Sequence, residues 1–268
     1  MTWRPPQGVL AELVAHARED CAARKRLRPS LSEEVRRNKP ATRGFEKALG
    51  AKRDTFPLIC EVKRASPSAG DIRAGVDAAT VAQRYVAGGA RCISVLTEGR
   101  RFGGSLADLR AVHAAVSVPL LRKDFIVDPY MVAEAAEAGA DAVLLIAGAL
   151  PPSALAELHA CAGELGLDAL VEFIHPHELA SGLAVDPTLV GINARDLETL
   201  EVDPHRFERL APQLIAPGRL LVAESGVASP DDVRRLAALG AQAALVGESL
   251  MRADDPKRLV EQLARAMS

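Results

Sequence analysis

The chain has 268 residues, of which 49% are hydrophobic and 25% charged, and its formal net charge is −2. This composition fits a globular protein with a large core, and so small a net charge does not favour binding to nucleic acid or to an anionic membrane. The basic residues Arg24, Lys25, Arg26 and Arg28 have acidic neighbours in the sequence, so we interpret them as a solvated helix end.

Two further features predict a cytoplasmic location. The start MTWRPPQGVL lacks a charged leader followed by an apolar core, and no apolar run approaches the roughly 20 residues needed to cross a bilayer. The four cysteines, Cys21, Cys60, Cys92 and Cys161, lie far apart without metal or redox spacing. Because Cys60 and Cys92 fall inside apolar runs, we interpret the cysteines as small buried hydrophobic residues that stay reduced.

The first 52 residues are predicted to be a helical extension. Val9 to Arg26 has the pattern of an amphipathic helix, and Ser32 to Arg37 that of a shorter one. Because this segment is too short for a domain of its own, we expect it to pack on residues 53–268 within a single domain, 1–268.

Eight short apolar runs follow, alternating with stretches of helical periodicity. The runs begin near Leu58, Arg91, Val118, Asp141, Asp168, Leu189, Leu220 and Ala243. Helices are predicted over Ala78 to Ala87, Met131 to Ala138, Ala154 to Leu165 and Asp231 to Leu239. Nearly continuous apolar strands separated by helices indicate a parallel sheet covered on its outside. Eight units without a glycine-rich dinucleotide motif favour a single (β/α)8 TIM barrel over an open doubly wound sheet.

Six of the apolar runs end in polar or ionisable residues, which predicts one shared pocket. Barrels of this kind keep their catalytic groups at the carboxyl ends of their strands. In the first run Glu61 and Lys63 share parity with Ile59 and face inward, whereas Cys60 faces the helices. Glu61 and Lys63 can also be no more than an ion pair that fills the barrel, and the sequence leaves both interpretations open.

Later strand ends extend the same cluster. Lys123, Glu172, Asn193 and Glu224 end the third, fifth, sixth and seventh runs. A lone lysine at a strand end is more often solvated than catalytic. Two inward carboxylates facing two lysines, however, can hold a proton donor and a proton acceptor with separated pKa values, as acid–base catalysis requires.

The last two strand ends suggest a phosphate site. Gly226 and Gly247 stand where backbone N–H groups can approach an anion, although either can be a simple turn glycine. Ser66 and Arg195 can complete the contacts. No metal site is predicted, because His175 and His177 have no third ligand near them in sequence.

Seven strings in this order resemble the indole-3-glycerol-phosphate synthase family. They are CEVKRASPSAGDI (60–72), SVLTEGRRFGGS (94–105), LLRKDFIVDPYMVAEA (120–135), VEFIHPHE (171–178), GINARDLETLEVD (191–203), ESGV (224–227) and VGESLM (246–251). The resemblance implies a carboxy-lyase of tryptophan biosynthesis that needs no cofactor or metal. It closes 1-(2-carboxyphenylamino)-1-deoxyribulose 5-phosphate, a small phosphosugar, to indole-3-glycerol phosphate. We expect a monomer or a weak homodimer.

The resemblance also implies residue roles. Lys123 would be the general acid of ring closure, Glu172 the acid–base carboxylate of the dehydration, and Lys63 the ligand of the substrate carboxylate and a second proton donor. Glu61, Asn193 and Glu224 would orient hydroxyls and lysines. The phosphate would contact Ser66, Arg195, Ser225, Gly226 and Gly247. The aromatic ring would lie among Phe102, Phe125, Leu144 and Leu197. Glu248 replaces the serine of some relatives, so we expect its side chain to turn away from the phosphate.

Two alternative functions are compatible with the same barrel. A phosphoribosylanthranilate isomerase-like barrel would need a cysteine–aspartate pair at strand ends, and Cys60 is expected to face outward. A non-catalytic phosphosugar-binding protein would not need the complete polar set at the strand ends.

Overall fold

A closed ring of eight parallel strands forms the centre of the molecule, as the sequence predicts. The computed structural model describes residues 3–52 and 54–267, so residues 1, 2, 53 and 268, which include the expected start of the barrel, lie outside the described chain. Sequential strands are neighbours, and the last strand pairs with the first. The strands are β1 (Leu58–Val62), β2 (Cys92–Leu96), β3 (Leu120–Lys123), β4 (Ala142–Ile146), β5 (Asp168–Phe173), β6 (Leu189–Asn193), β7 (Leu220–Glu224) and β8 (Ala243–Val246).

Helices surround the ring and precede it. They are α1 (Gly8–Leu27), α2 (Leu31–Arg37), α3 (Phe45–Gly50), α4 (Ala78–Ala87), α5 (Leu106–Ala115), α6 (Pro129–Glu137), α7 (Pro152–Glu164), α8 (Leu179–Leu183), α9 (Arg206–Leu214), α10 (Pro230–Ala238), α11 (Glu248–Arg252) and α12 (Pro256–Ala264). The predicted α4 is confirmed residue for residue, and the other predicted helices are confirmed to within one or two residues at each end. The short helices α3 and α8 have too few residues to show a period, and the sequence did not predict them.

Strand register brings distant residues to one rim of the barrel. Glu172 on β5 pairs with Gly191 on β6, and Asn193 on β6 pairs with Glu224 on β7. Because all strands run parallel, their carboxyl ends meet at the same end of the ring. The polar residues that end the apolar runs therefore face one space.

The N-terminal extension covers both ends of the barrel. At the amino ends of the strands, the Arg43 guanidinium donates to the carbonyl oxygens of Val116 (2.8 Å) and Val118 (3.0 Å), and the Glu46 N–H donates to Asp168 (2.9 Å). At the opposite rim, Leu13 of α1 lines the cavity described below. The extension therefore packs against both ends of the barrel.

The basic end of α1 corrects one sequence interpretation. Arg24 donates two hydrogen bonds to Glu134 of α6, at 2.6 and 3.0 Å, and Lys25 donates to Asp128 at 3.2 Å. Arg28 donates to Glu137 at 3.0 Å. These groups dock α1 on α6 and are therefore more than a solvated helix end. No local pattern indicates this docking, because the partners lie about a hundred residues away in the sequence.

The cysteines are buried, as expected for Cys60 and Cys92. All four cysteines are buried and carry no disulfide. Cys60 lies near Tyr85 of α4, so it faces the helices. Of the helices in residues 3–52 and 54–267, none combines the length and hydropathy that a bilayer crossing would need.

Candidate active site

A cavity of about 400 Å³ opens at the carboxyl-terminal rim of the barrel. Its volume lies within the usual range for a small-molecule site. Every residue that the sequence assigned to catalysis, phosphate binding or ring binding lines this cavity, with the exception of Glu172. Glu172 is completely buried beneath the floor and reaches the cavity through Lys123.

Lys123 is the centre of the polar floor. Its ammonium donates hydrogen bonds to Glu172 Oε2 (2.8 Å) and to Glu224 Oε2 (3.0 Å). Burial alone would lower the pKa of Lys123, but the charges of Glu172, Glu224 and Glu61 together outweigh burial and raise that pKa well above its ordinary value. The side chain is thus a charged ammonium, held in place by two hydrogen bonds, that lines the cavity.

Glu224 is the second floor residue with a strongly shifted pKa. Burial, together with the negative charge of Glu172, raises the pKa of Glu224 to about 8, although Lys123 opposes this shift. Among the described residues, the Oε1 atoms of Glu172 and Glu224 are buried without a hydrogen-bond partner. An unpartnered buried carboxylate oxygen is costly, so a proton held by Glu224 stabilises the cavity floor.

Glu61 and Lys63 form the ion pair that the sequence allowed, with Lys63 Nζ 2.8 Å from Glu61 Oε1. Both side chains also line the cavity. The pair is therefore placed to meet a bound molecule as well as to fill the barrel.

Two glycines make room for these carboxylates. A Cβ on Gly191 would overlap Glu224 Oε1, and a Cβ on Gly247 would crowd Glu61 Oε1. The sequence assigned Gly247 only to phosphate binding and did not single out Gly191. The signal for both positions is a small residue next to an inward carboxylate on the neighbouring strand, and it can be found only once the register is known.

Asn193 joins the loops that follow β6 and β7. Its Oδ1 accepts hydrogen bonds from the Arg195 N–H (3.0 Å) and the Ser225 hydroxyl (2.8 Å). Ser225 and Gly226 both have positive φ, at 65° and 74°. This left-handed turn suits glycine and is strained at Ser225. It places two consecutive residues of the predicted phosphate site at the edge of the cavity.

Glu248 does not turn away from this end of the cavity, contrary to our expectation. Its carboxylate lies 3.7 Å from Arg195 Nη2 and 3.1 Å from Arg252 Nε. The two guanidinium groups balance the charge that would otherwise repel an anion. Arg252 also lines the cavity, and sequence analysis missed it because it follows the recognisable VGESLM string.

The other end of the cavity is apolar. The rings of Phe102 and Phe125 lie 6.1 Å apart between centroids and are tilted by 43°. Leu144 and Leu197 complete this wall, together with Leu13 of α1. Sequence analysis missed Leu13, because a helix of the extension gives no sign of which residue reaches the barrel mouth.

His175 and His177 are stacked, with ring centroids 5.3 Å apart. The His175 ring lies 3.2 Å from Asp196. Within the two described ranges, no group of three or more histidine, cysteine, aspartate and glutamate side chains is arranged to hold a metal ion.

Comparisons with known proteins agree with this geometry. A family model described as indole-3-glycerol phosphate synthase matches residues 10–263. The indole-3-glycerol phosphate synthase of Kineococcus radiotolerans is 49% identical over 262 residues, which cover 96% of this chain and 95% of that protein. The indole-3-glycerol phosphate synthase 1 of Streptomyces coelicolor is 47% identical over 259 residues, with coverage of 96% and 95%.

Solved structures resemble the chain in fold. A 3-hexulose-6-phosphate synthase matches with a TM-score of 0.60 at 18% identity and covers 80% of this chain and 100% of its own. The Salmonella typhimurium protein of the same description gives a TM-score of 0.64 at 15% identity, with coverage of 79% and 98%. At such low identity the likeness extends to the barrel alone.

Proposed function

The chain belongs to the indole-3-glycerol phosphate synthase family, and we propose that the cavity at its barrel rim is the active site of the family's reaction. In that reaction 1-(2-carboxyphenylamino)-1-deoxyribulose 5-phosphate closes to indole-3-glycerol phosphate, with loss of carbon dioxide and water, in tryptophan biosynthesis. The observation that carries the site assignment is the Lys123 ammonium, fixed between Glu172 and Glu224 on the cavity floor.

Ring closure requires a proton donor at the ribulose carbonyl. As the aromatic carbon that bears the carboxylate attacks the carbonyl carbon, the C=O electron pair moves onto the oxygen. We assign to Lys123 the protonation of this oxygen, because a positioned ammonium stabilises charge where it develops. Loss of carbon dioxide then returns electrons to the ring and restores its aromaticity.

The second stage eliminates water. The hydroxyl group formed in ring closure leaves with a proton, while a base removes a proton from the indoline to give the indole double bond. Lys63 is assigned to donate the first proton, and Glu172, which reaches the cavity through Lys123, is assigned to act as the base. Glu61, 2.8 Å from the Lys63 ammonium, holds that lysine oriented toward the cavity.

The two ends of the cavity fit the two ends of this substrate. The turn at Ser225 and Gly226, with Ser66, Gly247 and Arg195, is proposed to hold the phosphate through backbone N–H groups and one guanidinium. The anthranilate ring is proposed to lie between Phe102, Phe125, Leu144 and Leu197. Binding energy from both ends positions the reacting carbons above Lys123.

Neither alternative raised by the sequence is favoured by the site. The isomerase-like function would need a strand-end cysteine in the cavity, whereas Cys60 faces α4. A non-catalytic binding protein has no use for a buried lysine held between two carboxylates, an arrangement that costs desolvation without adding contacts to a ligand.

A direct assay tests this function. The purified protein is mixed with 1-(2-carboxyphenylamino)-1-deoxyribulose 5-phosphate in buffer containing a chelator, and indole fluorescence and carbon dioxide release are followed together. We expect both signals in equal amounts. Consumption of substrate without indole, or no consumption at all, contradicts the proposal.

We also propose that residues 1–268 act as one domain, in the cytoplasm, as a monomer or weak homodimer that binds no nucleic acid. Support comes from the extension packed on the barrel, the unpaired buried thiols and the pairing of the basic end of α1 with α6. Light scattering over a range of protein concentrations tests the assembly state.

A further inference from the structure

The start of α1 is fastened to the loop that follows β6, although about 190 residues separate them in sequence. We propose that Glu198, at the tip of this loop, is a positioning residue: it clamps the extension onto the loop that carries Arg195 and Leu197, and thereby sets the width of the active site. What the cavity binds rests on the function proposed above. The clamp itself rests on geometry alone.

Glu198 makes three contacts with the segment that leads into α1. Its Oε1 accepts from the Gln7 N–H and its Oε2 from the Arg4 guanidinium, each at 2.9 Å, while its backbone oxygen accepts from the Val9 N–H at 3.2 Å. The first N–H groups of a helix have no partner within the helix. Gln7, at the N-cap, makes no side-chain capping bond, so Glu198 supplies the cap from another part of the chain, with a charge that suits the helix dipole.

Gly8 makes this close approach possible. It has φ +54°, and a Cβ there would overlap the carbonyl oxygen of Glu198. Another residue would have to push the loop away from the helix or change the backbone conformation. The junction is therefore closely packed at the backbone level, and Glu198 cannot shift without moving the start of α1.

The loop transmits this position to the cavity. Asp196 Oδ1 accepts from the Glu198 N–H at 2.8 Å, and the Arg195 guanidinium donates to the Leu200 oxygen at 3.0 Å. These bonds fold the loop into a compact turn, so Leu197 and Arg195 hold their places relative to Glu198. On the other side of the junction, Leu13 of α1 lines the same cavity. The clamp therefore sets the distance between the cavity walls that Leu13 and Leu197 form.

The two contacts of the Glu198 side chain, with the Arg4 guanidinium and with the Gln7 N–H, differ in strength. The Glu198 side chain is 18% exposed and that of Arg4 is 43% exposed. An exposed ion pair contributes little, whereas a carboxylate that caps a helix N–H contributes more. We therefore expect a graded series in which Glu198→Ala is the most severe change, while Arg4→Ala and Glu198→Gln are mild, because glutamine keeps an oxygen that can accept from Gln7.

Steady-state kinetics of these variants test the proposal. Glu198→Ala should raise KM about tenfold and change kcat less than about threefold, since it loosens binding and leaves the floor residues intact. Glu201→Ala, an exposed carboxylate in the same loop, is the matched control and should behave as wild type. A loss confined to kcat, a wild-type KM in Glu198→Ala, or an equal effect in Glu201→Ala overturns the proposal.

Trp3 gives a readout that needs no substrate. It is the chain's single tryptophan, it directly precedes Arg4 in the sequence, and its indole nitrogen is buried. In Glu198→Ala its fluorescence should be quenched more strongly by acrylamide, with a red-shifted emission and unchanged far-UV circular dichroism. If quenching matches that of the wild type, the clamp is refuted, whatever the fate of the proposed reaction. If quenching rises while KM is unchanged, the clamp exists but does not shape the site, which also refutes the proposal.

Discussion

Gly191 makes room for Glu224: a Cβ at position 191 would overlap Glu224 Oε1 on the neighbouring strand. On its other side, Gly191 is in register with Glu172. One residue without a side chain thus stands between the two strands whose carboxylates hold the Lys123 ammonium. The position of the Lys123 ammonium depends on the missing side chain at Gly191 as much as on the charged groups around it.

Gly191→Ala should therefore lower kcat, although Gly191 itself has no side chain that could take part in the reaction. The new methyl group displaces Glu224, and because Glu224 holds Lys123, we expect kcat to fall by about 10- to 100-fold, the scale of a small misplacement of a catalytic group. Steady-state kinetics with indole fluorescence measure the loss. Gly163→Ala is the control, since Gly163 lies in α7 with open space around its Cβ position. Equal activity in both variants would refute the steric argument.

Lys123→Met tests the general acid directly. Methionine approximates the length of lysine without its proton, so kcat should fall by at least about 100-fold, as expected when a general acid is lost. Substrate binding should survive, because the phosphate and ring ends are unchanged, and equilibrium titration measures it. Lys257→Met, on the exposed surface of α12, controls for the substitution itself. Substantial turnover in Lys123→Met would assign the proton to another group.

The sequence predicted the fold well because the barrel repeats one simple unit. Strand starts at Leu58, Asp168, Leu189, Leu220 and Ala243 were confirmed, since apolar runs between glycine and proline signals define them sharply. Short helices such as α3 were missed, because six residues show no period. The docking of Arg24 on Glu134 was missed for another reason: pairing across the surface leaves no local pattern.

The sequence predicted where the residues that end strands lie in the barrel. Parity placed Glu61 and Lys63 in the barrel, and the carboxyl ends of parallel strands must converge. The sequence could not place Leu13, which reaches the mouth from the extension, or give the conformation of Glu248. Both depend on packing between elements whose relative position no strand pattern determines.

Glu178 offers a test of stability against pH. This buried carboxylate accepts from the N–H groups of Ile174 (2.6 Å) and His175 (3.1 Å), and burial, against these bonds, raises its pKa from 4.5 to about 7. A carboxyl group whose pKa is higher in the folded than in the unfolded protein stabilises the fold at pH values below its unfolded pKa. This contribution is lost as the pH rises through the folded pKa. Glu178 therefore costs more stability at pH 8 than at pH 5.

Glu178→Gln removes this titration while it keeps an oxygen that can accept from Ile174. We expect the stability difference, variant minus wild type, to become more favourable by roughly 1–3 kcal/mol between pH 5 and pH 8. Thermal or urea unfolding at both pH values measures it. Glu164→Gln, on the exposed face of α7, should show no such change. A difference that is constant with pH would mean that Glu178 does not titrate in this window.

The proton on Glu224 predicts the alkaline limit of activity. Its carboxyl has a pKa raised to about 8 by burial and by Glu172, so it is protonated at pH 7 and ionises as the pH rises. The added negative charge repels a substrate that carries a carboxylate and a phosphate, and it holds the Lys123 proton more tightly. For both reasons kcat/KM should fall by up to about tenfold per pH unit above this pKa. The second phosphate ionisation, near pH 6, lies below this window and leaves it clear.

Glu224→Gln separates this titration from others in the protein. The amide resembles the protonated acid and keeps an oxygen that can accept from Lys123, so kcat/KM at pH 6.5 should stay within about tenfold of wild type. The alkaline limb should vanish, because glutamine has no proton to lose. Glu201→Gln should keep the wild-type profile. If the limb persists in Glu224→Gln, another group sets it. In that case Glu172 or Lys63 is the residue to substitute next, because both lie at the polar floor of the cavity and both are proposed to transfer a proton.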